Sequence, residues 1–455
     1  MTNIIDDFSS KAKEYLKTIE TRRVYPSKGS IENLKKLDIP LQDMPMDPAR
    51  VLNELNEIGS PATVASAGKR YFGFVVGGSL PAALGANLLA GVWDQNAGLE
   101  AASPLGAFVE EVCRKWLVEV FDLPPQTAAG FVTGATMANF TALAAARHAL
   151  LEKTGWNVEE DGLFGAPPVN VIVGEEVHVS VLKALCMLGL GRKRVIRVPV
   201  DGQGRMKPES IPRLPGPVIV CMQAGNVNTG AFDPADSICE VARAMNAWVH
   251  VDGAFGLWAK AASNVKYLTK GIEEADSWAT DAHKWLNVPY DSGIVFVRDA
   301  RSLTASMATS AAYLSEGKRR DPFCYVPEIS RRARGIEIWA ALRSLGKNGL
   351  RDLIDGNCRF AKLFARRLEE AGVKIINDVV LNQILVSFGD PDFTDGVIKR
   401  IQEDGTCWCG GTVWRNQTAM RISISSWATT EKDVIQSADA IIGIMNEEKT
   451  HRRSH

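Results

Sequence analysis

Short apolar runs and amphipathic stretches alternate through the middle of the chain. Val169 to Val173, Val195 to Val200, Pro217 to Met222, Trp248 to Val251 and Gly293 to Val297 are apolar nearly throughout. Stretches with helical spacing, such as Val179 to Leu190 and Asp236 to Asn246, lie between them. A strand with one wet face alternates apolar and polar residues, whereas a strand covered on both faces does not. The pattern therefore predicts an α/β fold built on a mostly parallel sheet with helices on both faces.

The flanks read differently. Ile4 to Ile19 has a helical pattern, and Pro26, Pro40, Pro45 and Pro48 break up the stretch after it. Residues 1–100 are expected to form an N-terminal segment that packs across a dimer, and 101–335 a large domain. Residues 336–455 are expected to form a smaller α+β domain. Within it, Ile336 to Leu345, Leu350 to Ala371 and Thr430 to Asn446 read as helices, and Leu381 to Phe388 and Met420 to Ser425 as strands.

Composition narrows the classes. Of 455 residues, 46% are hydrophobic and 23% charged, which excludes a disordered chain. The net charge of −1 offers no global attraction for nucleic acid or an anionic membrane, so neither is expected as a partner. The apolar stretch from Leu80 to Val92 is too short and too interrupted for a membrane span. Met1 to Lys17 lacks the features of a secretory signal. Eight cysteines are too dilute for a disulfide scaffold, and Cys407-Trp-Cys409 lacks a second pair or a nearby His for a metal. A cytoplasmic enzyme without a metal is the expectation.

Four places carry candidate chemistry. The strand Trp248-Val-His-Val-Asp252 ends in an acid followed by Gly253 and Ala254, and strand ends of a parallel sheet are where ligands bind. Asp281-Ala-His283-Lys284-Trp285 follows another strand-like run. A lysine in such apolar company can serve as an amine nucleophile toward an aldehyde. Gly130-Phe-Val-Thr133-Gly134-Ala135-Thr136 reads as a strand, a small-residue turn and a helix start, whose N–H groups and dipole favour a phosphate. His178 opens another helix, and its flat ring could stack on a heteroaromatic cofactor. The loop Gln223-Ala-Gly225-Asn226 falls on the same sheet edge. A phosphate seat, a stacking ring, an acid at one strand end and a lysine at a later one suit pyridoxal 5′-phosphate (PLP). The acid would keep the pyridine nitrogen protonated.

From about Arg70 to Trp427 the sequence resembles the group II PLP-dependent amino-acid decarboxylases, which include aromatic-amino-acid, histidine and glutamate decarboxylases. Val251-Asp252-Gly-Ala254 and Asp281-Ala-His283-Lys284-Trp285 carry the resemblance most specifically. It implies that Lys284 bonds the cofactor, Asp252 pairs with the pyridine nitrogen, Ala254 touches the ring and His178 stacks on it. Ala135 and Thr136 match the phosphate loop, and Asn226 and His283 complete the cofactor contacts. Phe72, Phe74 and Trp93 are candidates for an apolar substrate wall. Tyr325 is the candidate for a proton-donating tyrosine contributed by the partner subunit, with Tyr313 as a fallback. Relatives often place Thr or Ser at Asn226, and Asn or Ser at Asp281.

The implied fold is PLP fold type I, aspartate-aminotransferase-like, with a seven-stranded sheet and a small C-terminal α+β domain. The implied assembly is a homodimer with composite active sites, and the implied reaction is α-decarboxylation of an L-amino acid to its amine and carbon dioxide. Another PLP reaction on the same fold, such as carbon–carbon lysis, aldehyde formation or amino transfer, is the alternative.

Overall fold

The apolar runs become strands of a seven-stranded sheet in the computed structural model, which describes residues 2–309 and 320–453. Tyr313 lies outside the described residues. The strands are β1 (Ala128–Val132), β2 (Asn170–Gly174), β3 (Ile196–Val198), β4 (Val218–Gln223), β5 (Trp248–Asp252), β6 (Ser277–Asp281) and β7 (Gly293–Val297). Their order is β1-β7-β6-β5-β4-β2-β3. Every residue of β1, β4, β5, β6 and β7 is buried, which is why these runs show no alternation. The edge strand β3 exposes Arg197.

Strands β2 to β6 pair in parallel, and β7 runs antiparallel to both β6 and β1. The reason is connection length. A parallel neighbour needs a crossover of a dozen or more residues, usually through a helix. Only residues 282–292 separate β6 from β7. The chain therefore turns back on itself, and this turn contains His283 and Lys284. The reversal leaves β1 pointing the same way as β2 to β6. The C-terminal ends of β1, β2, β4, β5 and β6 thus share one edge of the sheet.

The chain forms two compact units. The first, Ser79–Arg359 with Asn377–Gln383, holds the large sheet. Helix α1 (Ala135–Glu152) lies against that sheet through the buried side chains of Ala138, Ala142, Ala145, Ala146 and Ala149. Helix α2 (Val179–Met187) follows β2. The second unit comprises Met1–Gly78, Phe360–Ile376 and Ile384–His455. A small sheet runs β10-β11-β9-β8, from β8 (Lys374–Ile375), β9 (Gln383–Ser387), β10 (Gly410–Trp414) and β11 (Gln417–Ser423). Arg415 and Asn416, both at positive φ, make the two-residue turn between β10 and β11. The Phe72 N–H donates to the Trp408 carbonyl, and the Ser423 N–H donates to the Phe72 carbonyl, tying residues 70–74 into this unit.

The two helices expected on either side of residue 346 form one run, Gly335–Glu370, broken at Gly346, which has φ +60°. Among the described residues no helix is long and apolar enough to cross a membrane.

Candidate active site

Five strand ends of the first unit bring the expected residues together. At the end of β5, Asp252 is 5% exposed. Its Oδ1 accepts the Ala254 N–H at 3.3 Å, and its Oδ2 accepts from Asn139 Nδ2 at 3.4 Å and lies 3.4 Å from Ser180 Oγ. Among the described residues no cationic side chain forms an ion pair with it. A buried carboxylate held only by neutral donors is short of a positive partner. A protonated pyridine nitrogen is such a partner.

His178 caps α2. Its Nδ1 accepts the Ser180 N–H at 3.2 Å and lies 2.8 Å from Ser180 Oγ. A nitrogen that accepts from a backbone N–H carries no proton of its own, so the neutral ring holds its proton on Nε2.

The turn after β6 is tightly organised. Asp281 Oδ2 lies 3.0 Å from Lys284 Nζ, and Oδ1 accepts the N–H of Ala135, the first residue of α1, at 2.6 Å. An acid at a helix N-terminus is favourable by itself, since it answers both the dipole and an unpaired donor. His283 Nδ1 accepts the Ser292 N–H at 3.0 Å, and its ring stacks on Tyr290 with centroids 4.2 Å apart. Burial pushes the His283 imidazolium below the usual histidine range, with Lys284 adding to the effect and Asp281 opposing it. Gly134 sits in the mouth of this turn. A Cβ there would lie 3.1 Å from His283 Cε1 and 3.3 Å from Asp281 Oδ1, so the backbone N–H groups can be approached closely only because the side chain is absent.

After β4, Asn226 Oδ1 accepts the N–H groups of Asn228 and Thr229 at 2.9 and 3.2 Å. Its Nδ2 is buried and has no hydrogen-bond partner among the described residues. A buried amide donor left open at the edge where ligands bind is the second sign of a missing polar group. Together with Asp252, Lys284 and the start of α1, it fits PLP: a ring nitrogen for the acid, an aldehyde for the amine, a phosphate for the helix and ring oxygens for the amide. Thr136 and Ala254 are half-buried at the same edge.

The other candidates lie elsewhere. Tyr325 ends a short turn, Pro322–Tyr325, with the Arg320 guanidinium 4.0 Å from its ring centroid. It lines a cavity of about 510 Å³ with Glu111, Arg114, Thr127 and Ala128, beside the first residue of β1. That is the opposite end of β1 from the phosphate turn, so the fold does not bring Tyr325 to Lys284 of its own chain. Phe72 and Phe74 belong to the second unit, where Phe72 packs edge-on against Phe364 and Phe74 stacks on Trp408. Trp93 ends the helix Pro81–Trp93 and is 44% exposed.

Asn139, Ser180, His250, Ser277 and Trp248 do not stand out in the sequence, although a signal exists for two of them. His250 stands two residues before Asp252 and so faces the same side of β5. Asn139 follows Ala135 by four and lies on the same side of α1.

Comparisons with known proteins agree with this reading. A family model described as the pyridoxal-dependent decarboxylase conserved domain matches residues 32–388. Tryptophan decarboxylase 1 of Oryza sativa subsp. japonica is 26% identical over 379 residues, covering 77% of this chain and 73% of the relative. Aromatic-L-amino-acid decarboxylase of Bacillus atrophaeus is 28% identical over 411 residues, covering 85% and 81%. Among solved structures, Oryza sativa TDC with PLP and tryptamine superposes with a TM-score of 0.90 at 21% identity, covering 98% of this chain and 97% of that one. That likeness speaks to the fold: a seven-stranded, mostly parallel sheet with a small antiparallel one, fold type I.

Proposed function

Since the chain belongs to the pyridoxal-dependent decarboxylase family and is a PLP-dependent carboxy-lyase, we propose that it removes the α-carboxylate of an L-amino acid, giving the amine and carbon dioxide. The observation that carries the reading is Asp252, a buried carboxylate with neutral donors and no cation. When bound, PLP supplies an electron sink for the pair released as the bond from Cα to the carboxylate breaks.

The residues have distinct tasks. Lys284 would hold the cofactor through its Nζ. Asp252 keeps a proton on the ring nitrogen. The start of α1, at Ala135 and Thr136, seats the phosphate through its N–H groups. Asn226 Nδ2 donates to the cofactor's ring oxygen. His178 covers one face of the ring and excludes water from it, and Ala254 touches the other. His283, neutral because it is buried, braces the turn that carries Lys284. A carboxylate leaves most readily from a desolvated spot, because its charge is lost in the transition state.

The assembly is proposed to be a homodimer with composite sites. Leu89, Val92, Trp93 and Phe108 are exposed in one chain, and apolar surface of this kind is a mark of a protein–protein contact. Tyr325 enters a site only as the partner's contribution. Phe74 and Trp93, both exposed in one chain, are the proposed apolar wall for the substrate side chain, whereas Phe72 is buried against Phe364 and offers it no surface.

The test is a carbon dioxide release screen over the twenty amino acids and diaminobutyrate, with the organic product identified. Amine in step with carbon dioxide supports the reading. An aldehyde or a keto acid as the main product would overturn it. Lys284→Ala is expected to lose the borohydride-fixed cofactor and at least about a thousandfold in rate.

A further inference from the structure

A chain of hydrogen bonds runs beneath the site, from the middle of the sheet to both residues that would grip the cofactor ring. Trp248 Nε1 lies 2.9 Å from Ser277 Oγ, and Ser277 Oγ lies 2.9 Å from His250 Nδ1. His250 Nε2 lies 2.9 Å from Asn139 Oδ1. Asn139 Nδ2 then reaches Ser180 Oγ at 3.2 Å and Asp252 Oδ2 at 3.4 Å. Ser180 Oγ is 2.8 Å from His178 Nδ1. Trp248 is 7% exposed, and Ser277, His250 and Asn139 are fully buried, so water cannot substitute for any partner.

The direction of this chain follows from its two ends: Trp248 can only donate and the Asp252 carboxylate can only accept, so Asn139 turns its NH2 group to the acid and its oxygen to His250 Nε2. An indole N–H can only donate. Ser277 Oγ therefore accepts from Trp248, and its one proton is free for His250 Nδ1. With Nδ1 accepting, the neutral imidazole carries its proton on Nε2 and donates to Asn139. Burial keeps this ring neutral, holding its pKa down to about 4. Asn139 must then turn its oxygen to His250 and its NH2 group to Ser180 and Asp252. Ser180 accepts from the amide and directs its own proton to His178 Nδ1, the nearer of its two acceptors. The Ser180 N–H donates to that same nitrogen. The donor at one end and the carboxylate at the other agree on one sense for the bonds between them.

We propose that Trp248, Ser277, His250 and Asn139 are positioning residues that set, through this relay, the amide donor supplied to Asp252 and so leave the Ser180 hydroxyl proton for His178, whose tautomer the Ser180 N–H already fixes. The inference rests on the proposed roles of Asp252 and His178 and goes beyond them. Residues at the first and third positions of β5, at the first position of β6 and on α1 govern the cofactor grip without touching it. Reversal has a definite consequence. If His250 were protonated on Nδ1, Asn139 would have to flip, placing its oxygen against the carboxylate of Asp252 and leaving that acid one donor short.

Ser277 is the place to test it. Ser277→Ala removes the proton that holds His250 Nδ1 as an acceptor, and Ser277→Thr retains it. PLP affinity is measured by spectrophotometric titration of the full-length apoprotein, and the His250 tautomer by 15N NMR of histidine-labelled protein. The relay predicts Nε2–H in the natural protein and a detectable Nδ1–H fraction in Ser277→Ala. It also predicts about tenfold weaker PLP binding in Ser277→Ala, with Ser277→Thr within about threefold of the natural protein. A His250 proton found on Nδ1 in the natural protein overturns the proposal, as does a Ser277→Ala variant with unchanged tautomer and affinity. If Ser277→Ala does not fold, the tautomer of the natural protein decides alone. Failure of the wider reading looks different: PLP would not bind, or Lys284 would not hold it.

Discussion

Asp281 holds Lys284 in an ion pair of 3.0 Å while its other oxygen occupies the first N–H of α1. The acid therefore stands where the phosphate is proposed to sit, and its charge opposes that of the phosphate. Two like charges about 4 Å apart cost roughly 1–4 kcal/mol in this kind of setting. Asp281→Asn is accordingly expected to bind inorganic phosphate about tenfold more tightly than the natural protein, by calorimetric titration of the apoprotein. Equal or weaker binding would show that the phosphate seat does not include this N–H.

His250 makes stability depend on pH. Its folded pKa of about 4 lies below the unfolded value of about 6.5. Between these values the unfolded chain binds the proton and the folded chain does not, so the contribution is present above about pH 6.5 and is lost as pH falls toward about 4. Integrated over that window the loss is roughly 3 kcal/mol. Asp233 works in the opposite sense, since burial pushes it up to about 6 and the folded state gains as it protonates. The natural protein's own melting curve mixes the two. The difference in Tm between the natural protein and His250→Gln isolates the histidine, and that difference is expected to shrink on acidification from about pH 6.5 to about pH 4.5.

Gly293 opens β7 opposite Val132 and Asp281. A Cβ there would meet Gly134 Cα at 2.4 Å, and backbone cannot swing aside as a side chain can. Gly293→Ala should therefore destabilise by about 2–3 kcal/mol and displace the proposed phosphate turn. Urea unfolding with an unchanged m-value reads the first effect, and PLP retention on gel filtration reads the second. Normal stability would mean that the turn yields easily.

Arg331 and Glu110 form an ion pair with side chains 0% and 1% exposed. Arg331 also donates to the carbonyls of Ala97 and Phe131. Arg331→Leu takes the hydrogen-bonded partner from a buried carboxylate, leaving it only the charge of Arg320 nearby, and is expected to cost about 3–5 kcal/mol. Adding Glu110→Leu should recover much of that loss, because the unpaired charge goes with it. The double-mutant cycle, followed by urea denaturation, checks both steps.

Much of this protein could be read along the chain. Buried strands must be apolar on both faces, so the runs at Val169, Pro217, Trp248 and Gly293 announced a parallel-type sheet and became β2, β4, β5 and β7. Asp252 and Lys284 stood out only in combination, since an acid at a strand end can simply cap a turn and a lone lysine is usually solvated. The reversal of β7 was hidden, since direction depends on the length of a connection and on which neighbour is free. The relay was hidden too. Trp248, Ser277, His250, Asn139 and Ser180 come from two strands and two helices, and no spacing links one element to the next. Their meaning lies in the direction of hydrogen bonds, which exists only once the fold has placed each donor within reach of its acceptor. Chemistry held by a single residue type at a strand end is written in the sequence; chemistry held by distance is decided by packing.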